Sequence, residues 1–146
     1  MPNYLFFTGH PDLDYLDMPF DLTIVLASGS RPRDAYAAIG FRYIDDENYA
    51  EIAISRDGFA SLALTIDGTY HSIIPWTRPT PAPRQPYMLR MVDSGSRVKA
   101  YLNDSLLFDI PLQDLPSGGI FLFAGTFDEA PSTWSFDDIQ VRRYSP

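Results

Sequence analysis

The sequence predicts an all-β protein, an antiparallel sandwich or barrel, on three observations. Clusters rich in Gly, Asp, Asn and Ser, the residues that tight turns favour, recur at short intervals. Short runs of apolar residues fill the intervals, and no segment has the 3.6-residue period of an amphipathic helix. Because 146 residues suffice for one hydrophobic core but not for two ordinary domains, we expect a single domain over residues 1–146.

Nine segments have the composition of strands, with β-branched, aromatic and aliphatic residues between turn signals. In chain order they are FDLTIVLA, YAAIGFRYI, YAEIAIS, FASLALTI, YHSIIPW, YMLRMV, RVKAYL, GIFLFAG and WSFDDIQV. The turn signals are ASGSRPRD, IDDEN, SRDG, IDGT, DSGSR, LNDS and PSGG. We therefore expect strand to follow strand, with room for at most one helical turn in PLQDLPSGG.

Charge and composition exclude several classes of partner. The formal net charge is −8 and the eleven Lys and Arg residues are dispersed, so we expect no nucleic-acid partner. No apolar stretch approaches the ~20 residues of a membrane span. The absence of cysteine excludes disulfides and thiolate sites. The opening MPNYLFFTGH lacks the basic and apolar regions of a secretory signal, so we expect a cytoplasmic protein or a domain of a longer exported chain.

The stretch FRYIDDENYAEIAIS, residues 41–55, predicts a hairpin with DDEN as its turn. Antiparallel pairing around this turn sets Arg42 opposite Glu51 and Phe41 opposite Ile52. Arg42 and Glu51 then form an exposed pair of opposite charge, and Tyr49 shares their face. The other face of the hairpin is predicted to be apolar and to carry Ile39, Phe41, Tyr43, Ala50, Ile52 and Ile54.

The acidic residues of this hairpin do not predict a glycosidase. A retaining glycosidase needs two carboxyl groups about 5 Å apart, which on a strand means acids at alternate positions of one face. Here three acids fall in the turn, and Arg42 opposite Glu51 would keep that carboxylate ionised, which opposes a general-acid role. We therefore expect no catalytic residues, and we expect Glu51→Gln to change stability by no more than about 1 kcal/mol, as for other exposed pairs.

The segment PWTRPTPAPRQPY, residues 75–87, contains five prolines. Proline cannot donate to a sheet ladder, so the segment predicts a loop or an edge crossing with polyproline II character. A stiff connection between two sheets is the favoured interpretation, and a docking site for a proline-recognising partner is the alternative.

Three longer stretches carry a resemblance to a known superfamily. They are GFRYIDDENYAEIAISRDGFASLAL, YMLRMVDSGSRVKAYLNDSLLF and SGGIFLFAGTFDEAPSTWSFDDIQV. In this order they resemble the concanavalin A-like jelly-roll domains of bacteria that are related to laminin G modules and to the keto-disaccharide hydrolase-like domain. The resemblance implies a two-sheet jelly roll, commonly an accessory module of extracellular or cell-surface proteins, that binds sugar or protein at its concave face or rim.

The same resemblance implies a possible calcium site. Glucanase-like jelly rolls often end in a strand similar to WSFDDIQVRRY, whose Asp helps to bind a structural calcium, and the matching position here is Asp137. The alternative is that Asp137 and Asp138 lie at a β-bulge and cap local backbone groups. In either case we expect Ile139 and Val141 in the core. The E-x-D-x-x-E strand motif of the laminarinase-type glucanases is absent.

Aromatic residues are the further candidates for ligand contact, because sugar-binding faces stack Trp and Tyr rings on pyranose surfaces. Tyr49 with Arg42 and Glu51 forms one group, and Tyr70 with Trp76 forms another if YHSIIPW is a regular strand. Core packing is the alternative role for Trp76 and for Trp134.

The sequence therefore predicts a noncatalytic binding module for carbohydrate or cell-surface recognition, with a glycan or another protein domain as partner. One alternative is a structural or protein-interaction domain of a larger assembly, whose concave face would carry small or aliphatic side chains. The other is a hydrolase, which needs two converging carboxylates; the nearest pool of acids is residues 45–47 with Asp128 and Glu129.

Overall fold

In a computed structural model the described residues are 4–7, 20–28, 36–115, 118–125 and 134–143. These residues form eleven strands, and none of them lies in a helix with the length and apolarity needed to cross a membrane. The strands are β1 (Tyr4–Phe7), β2 (Phe20–Ser28), β3 (Tyr36–Asp45), β4 (Asn48–Ser55), β5 (Ala60–Ile66), β6 (Thr69–Thr77), β7 (Tyr87–Asp93), β8 (Arg97–Leu102), β9 (Ser105–Pro111), β10 (Gly119–Gly125) and β11 (Trp134–Arg143).

The strands form two sheets, one of six strands in the order β1-β10-β3-β4-β5-β6 and one of five in the order β11-β2-β7-β8-β9. Every neighbouring pair is antiparallel. The predicted antiparallel sandwich is thus confirmed. Residues 78–86 lead from β6 at the edge of the six-stranded sheet to β7 in the other sheet. Pro75 and Trp76, which the sequence analysis assigned both to the strand YHSIIPW and to the proline-rich segment, belong to β6.

All nine predicted strands are present, and the sequence analysis missed β1 and β9. Strand β9, SLLFDIP, has an irregular burial pattern because its pairing with β8 shifts register between Ala100 and Tyr101. A bulge of this kind interrupts the alternation on which strand prediction depends. Strand β1 has four residues, too few to show a period of two.

The core lies between the sheets and follows the predicted alternation. In β2 the side chains of Phe20, Leu22, Ile24 and Leu26 are buried and the residues between them are partly exposed. In the six-stranded sheet the inward residues are Ala37, Ile39, Phe41, Ala50, Ile52, Ile54, Ala60, Leu62 and Leu64. Trp134 is also buried in this cluster, as expected for core packing.

The β3–β4 hairpin has a different register from the predicted one. Ile39 lies opposite Ile52, Phe41 opposite Ala50 and Gly40 opposite Glu51, so the strands are shifted by two residues. The shift arises at a β-bulge between Phe41 and Asp45, where Arg42 adopts a positive φ of 50°. A shift of two residues leaves each side chain that precedes the bulge on the same face of the sheet. Phe41 and Ile52 are buried, so their predicted core placement is confirmed.

The predicted Arg42–Glu51 pair is wrong, because the bulge turns Arg42 into the interior. Only 2% of Arg42 is exposed, and its guanidinium donates two hydrogen bonds to Asp93, Nε to Oδ2 at 2.9 Å and Nη2 to Oδ1 at 2.8 Å. Its remaining N–H groups donate to the carbonyl oxygens of Gly95, Leu112 and Leu115. All five donors of the guanidinium are therefore satisfied away from water.

Two core positions of the six-stranded sheet test which face of each strand is buried. We expect Phe41→Ala and Leu64→Ala each to lower the free energy of unfolding by about 2–5 kcal/mol, because both side chains are buried between the sheets. Urea denaturation measures the loss. Leu106→Ala is the matched control, since Leu106 is 56% exposed and its truncation opens no cavity. Core variants as stable as this control would contradict the assigned faces.

The exposed ion pair Arg90–Asp21 is a control for the buried pair Arg42–Asp93. It is also bidentate, with Arg90 Nε 3.1 Å from Asp21 Oδ1 and Nη2 2.7 Å from Oδ2. We expect Asp93→Ala to destabilise the protein by about 3–5 kcal/mol, because it leaves a buried cation without its partner. Asp21→Ala should cost at most about 1 kcal/mol. Equal losses in denaturant titrations would show that burial does not govern the Arg42 pair.

Candidate functional site

The outer face of the six-stranded sheet is rich in aromatic side chains. Residues that alternate with the core positions point outward, and in antiparallel strands the partners directly opposite share a face. Tyr36, Ala38 and Phe121 form a second cluster on this face with Ala53, and Tyr43 and Tyr49 pack against it. We call this surface the aromatic face; its described aromatic side chains are those of Tyr36, Tyr43, Tyr49, Tyr70, Trp76 and Phe121.

Three rings form a cluster at the hairpin end of the aromatic face. The ring centroids of Tyr43 and Phe121 are 4.4 Å apart in an edge-to-face arrangement, and Tyr49 lies 6.1 Å from Tyr43 and 5.9 Å from Phe121. Tyr43 was expected in the core. It lies outside because the bulge at Arg42 reverses the alternation of β3.

A hydrogen bond anchors one ring of this cluster. The Tyr43 hydroxyl donates to Asp46 Oδ1 at 2.5 Å. This bond, with a smaller contribution from burial, raises the pKa of Tyr43 to about 12. Asp46 of the turn therefore holds the Tyr43 ring in place.

Gly40 allows the ring of Phe121 to lie directly over β3. A Cβ atom at Gly40 would lie 2.5 Å from the nearest ring carbon of Phe121. Because real Cβ atoms do not approach other carbons so closely, any other residue here would displace the ring.

A second pair of rings lies towards the opposite end of these strands. Tyr36 and Trp76 meet with centroids 6.4 Å apart in an edge-to-face arrangement, although Tyr36 is on β3 and Trp76 on β6. The strands between them carry the small residues Ala53 and Ser61, which are paired with each other. Trp76 is 38% exposed, so one side of this pair faces solvent.

Glu51 lies between the two aromatic groups, opposite Gly40 on β3 and Ala63 on β5. It is partly buried, and desolvation raises the pKa of its carboxyl group to about 7. Burial, and after it the charge of Glu51, raises the pKa of Tyr70, whose strand position opposite Thr65 puts it on the same face. The expectation that Arg42 keeps Glu51 ionised is therefore wrong, since Arg42 lies on the other side of the sheet.

Four of the five predicted ligand-binding residues meet on this face: Tyr49, Glu51, Tyr70 and Trp76. Arg42 does not belong to it. The sequence analysis missed Tyr36, Tyr43 and Phe121. The alternation of Tyr36 and Ala38 with core positions is a signal that would have found Tyr36, whereas the bulge hid Tyr43.

The outer face of the five-stranded sheet differs in charge. It carries Arg90, Arg97, Lys99 and Arg142, and the acids Asp21 and Asp109 pair with the first three of them. By contrast the strands of the six-stranded sheet contain one arginine, the inward-facing Arg42, and no lysine. The described strands of this sheet therefore contribute no lysine or arginine side chain to the aromatic face.

The predicted bulge in β11 is present, with a register shift between Asp137 and Gln140 and a φ of 51° at Asp138. Ile139 is exposed, so its predicted core position is wrong, whereas Val141 packs against the core. Within the described ranges no group of three or more His, Cys, Asp or Glu side chains could hold a metal ion. The carboxylate helpers that calcium needs beside Asp137 are not found there, and calcium stays a prediction.

Several solved structures are similar to this chain over most of its length. The carbohydrate-binding module CBM66 from Bacillus subtilis has a TM-score of 0.70 at 19% identity and covers 85% of this chain and 74% of its own. Sheep galectin-11 in complex with glycerol has a TM-score of 0.62 at 10% identity over 97% of both chains. A toad ovary galectin in complex with thio-digalactose has a TM-score of 0.61 at 9% identity over 97% of this chain and 98% of its own.

These structures confirm the fold class as a jelly-roll β-sandwich of the concanavalin A-like kind. At sequence identities of 19%, 10% and 9%, the similarity shows a shared fold and no more. No protein-family model and no curated protein sequence matches the chain.

The raised pKa of Glu51 makes stability depend on pH. Its folded value of about 7 exceeds the ordinary 4.5, so the folded state binds the proton more tightly. Stability should fall as pH rises from about 4.5 to about 7, by on the order of 3 kcal/mol, and level off above. We expect Glu51→Gln to abolish this fall and to be more stable than the wild type at pH 8. This expectation replaces the limit of about 1 kcal/mol, which assumed an exposed pair with Arg42.

Urea denaturation between pH 4 and pH 8 measures the effect. Glu47→Gln, an exposed acid in the same hairpin, is the control and should keep the wild-type profile. A wild-type protein whose stability at pH 8 equals that of Glu51→Gln would contradict the burial of this carboxylate.

Proposed function

We propose that the protein is a noncatalytic carbohydrate-binding module and that the aromatic face is its binding surface. The observation that carries the proposal is the arrangement of two aromatic groups around a floor of small residues. Tyr43, Tyr49 and Phe121 lie at one end, and Tyr36 and Trp76 towards the other. The floor between them is formed by Gly40, Ala38, Ala53 and Ala63.

This arrangement suits a pyranose or furanose ring. The C–H surface of a sugar stacks on an aromatic ring, while its hydroxyl groups need hydrogen-bonding partners close to that ring. Glu51, the Tyr70 hydroxyl and Ser72, which lies opposite Ala63, supply such groups on the same face. A shallow sheet surface buries only part of a sugar, so we expect dissociation constants nearer millimolar than nanomolar.

The distribution of acids supports the absence of catalysis. A pKa near 7 would suit Glu51 to general-acid chemistry, but glycoside hydrolysis needs a second carboxyl group on the same face. The only other acid in the strands of this sheet is Asp45, at the end of β3. Asp45 accepts hydrogen bonds from the Glu47 backbone and the Asn48 side chain and so closes the turn. Asp128 and Glu129 lie outside the described residues.

The names of the similar structures agree with this function, since one is a carbohydrate-binding module and others are galectins, one of them in complex with thio-digalactose. A structural domain was expected to carry small or aliphatic side chains on its concave face, whereas the described side chains of the aromatic face include six aromatic ones. Kinship with laminin G-like or keto-disaccharide hydrolase-like domains, and a place outside the cell within a longer protein, belong to the same proposal and rest on sequence resemblance.

A glycan array followed by calorimetry tests the proposal. We expect an array binder with a dissociation constant near millimolar, and we expect Tyr49→Ala to weaken it at least tenfold, because the variant removes a stacking ring. Tyr101→Ala is the matched control, since Tyr101 is a tyrosine on the five-stranded sheet, beneath Arg90. It should bind as the wild type does.

The possible outcomes separate the alternatives. An array without any binder would contradict glycan recognition and favour a protein partner. Binding that persists in Tyr49→Ala but is lost in Trp76→Ala would support carbohydrate binding and would place the sugar site at the Tyr36–Trp76 end of the face.

A further inference from the structure

We propose that the aromatic face prefers sugars that carry a protonated amino group, with the Glu51 carboxylate as the counter-ion of the ligand. This inference rests on the proposed function and names the class of glycan. It follows from three features of the face: its missing cations, the environment of Glu51 and the rings on either side of it.

The first feature is charge. No lysine occurs in the six strands that form the face, and their one arginine, Arg42, is turned inward and paired with Asp93. The hairpin that borders the three-ring cluster adds Asp45, Asp46 and Glu47. On these strands a uronate, sialate or sulfate group would therefore meet no cation, and the Glu51 carboxylate would repel it.

The second feature is the environment of Glu51. Within the described part of the chain its carboxylate makes no hydrogen bond shorter than 3.5 Å and no ion pair within 4.0 Å. Desolvation alone accounts for the raised pKa of the group, so no neighbouring cation compensates for its burial. The titratable groups that face Glu51 are the tyrosines of β3, β4 and β6, and these supply no positive charge at neutral pH. A ligand ammonium would supply it.

The third feature is the set of rings. Aromatic faces attract cations through their quadrupole, and the attraction grows when water is excluded. Tyr49 stands two residues before Glu51 on the same face of β4, and Phe121 covers Gly40, the partner of Glu51 on β3. A sugar stacked on these rings would hold an equatorial amino group beside the carboxylate, so the ammonium would meet an anion and aromatic faces together.

The opposite charge pattern on the other sheet supports this assignment. Arg90, Arg97, Lys99 and Arg142 lie on the outer face of the five-stranded sheet, on the far side of the core. Because these basic residues lie on the five-stranded sheet, the aromatic face is the more negative of the two outer faces. Electrostatic complementarity then favours a cationic ligand on this side.

Two oligosaccharides that differ only in their amino groups test the inference. The probes are the β-1,4-linked tetramer of glucosamine and the same tetramer with every amino group acetylated. In calorimetry at pH 7 and low salt we expect the wild type to bind the amino tetramer about tenfold more tightly. Glu51→Gln should reduce this preference to within about twofold.

Asp109→Asn is the matched control. It removes the same charge from the opposite sheet, where Asp109 pairs with Arg97, and it should keep the preference. A thermal denaturation curve for Glu51→Gln confirms that any loss of binding does not come from unfolding.

Each other outcome is decisive. Equal affinity of wild type for the two tetramers, or a preference that Glu51→Gln retains, would overturn the inference and leave the proposed function intact. Binding of neutral glycans on the array without binding of either tetramer would do the same. A protein that binds no glycan of any charge would overturn the proposed function itself.

Discussion

The fold depends on one buried ion pair that joins the two sheets. Arg42 reaches from β3 of the six-stranded sheet to Asp93 at the end of β7 in the five-stranded sheet. Its other donors bind the carbonyl groups of Leu112, Leu115 and Gly95, which belong to the connection after β9 and to the β7–β8 turn. A lysine could not replace this contact, because an ammonium group has three donors and the guanidinium has five in a planar fork.

The same contact shapes the candidate site on the far side of the sheet. Arg42 can point inward only because β3 bulges at that residue, and the bulge turns the next residue, Tyr43, outward. Tyr43 then completes the ring cluster with Tyr49 and Phe121. A polar contact in the interior thus determines which aromatic residues are available on the surface, so the stability of the sandwich and the composition of the face are coupled.

The sequence predicted the sandwich because alternation and turn signals are local properties, and most strands here obey them. The predicted core positions of the hairpin other than Tyr43 are correct although the predicted register is not, because a shift of two residues keeps each side chain on the same face of the sheet. The inward position of Arg42 could not be predicted. The bulge between Phe41 and Asp45 reverses the alternation, and no local signal in FRYIDDEN shows that the buried position belongs to Arg42. Its true partner, Asp93, lies 51 residues away on another sheet.

The irregular pairing of β6 has a consequence for the behaviour of the protein in concentrated solution. An edge strand offers unpaired backbone groups on which another chain can build a further strand, which is a common route to aggregation. Strand β6 contains Pro75, which has no N–H, and its pairing with β5 shifts register twice within a few residues. A second copy would find no regular ladder to extend, so concentrated solutions of the protein should not polymerise through this edge.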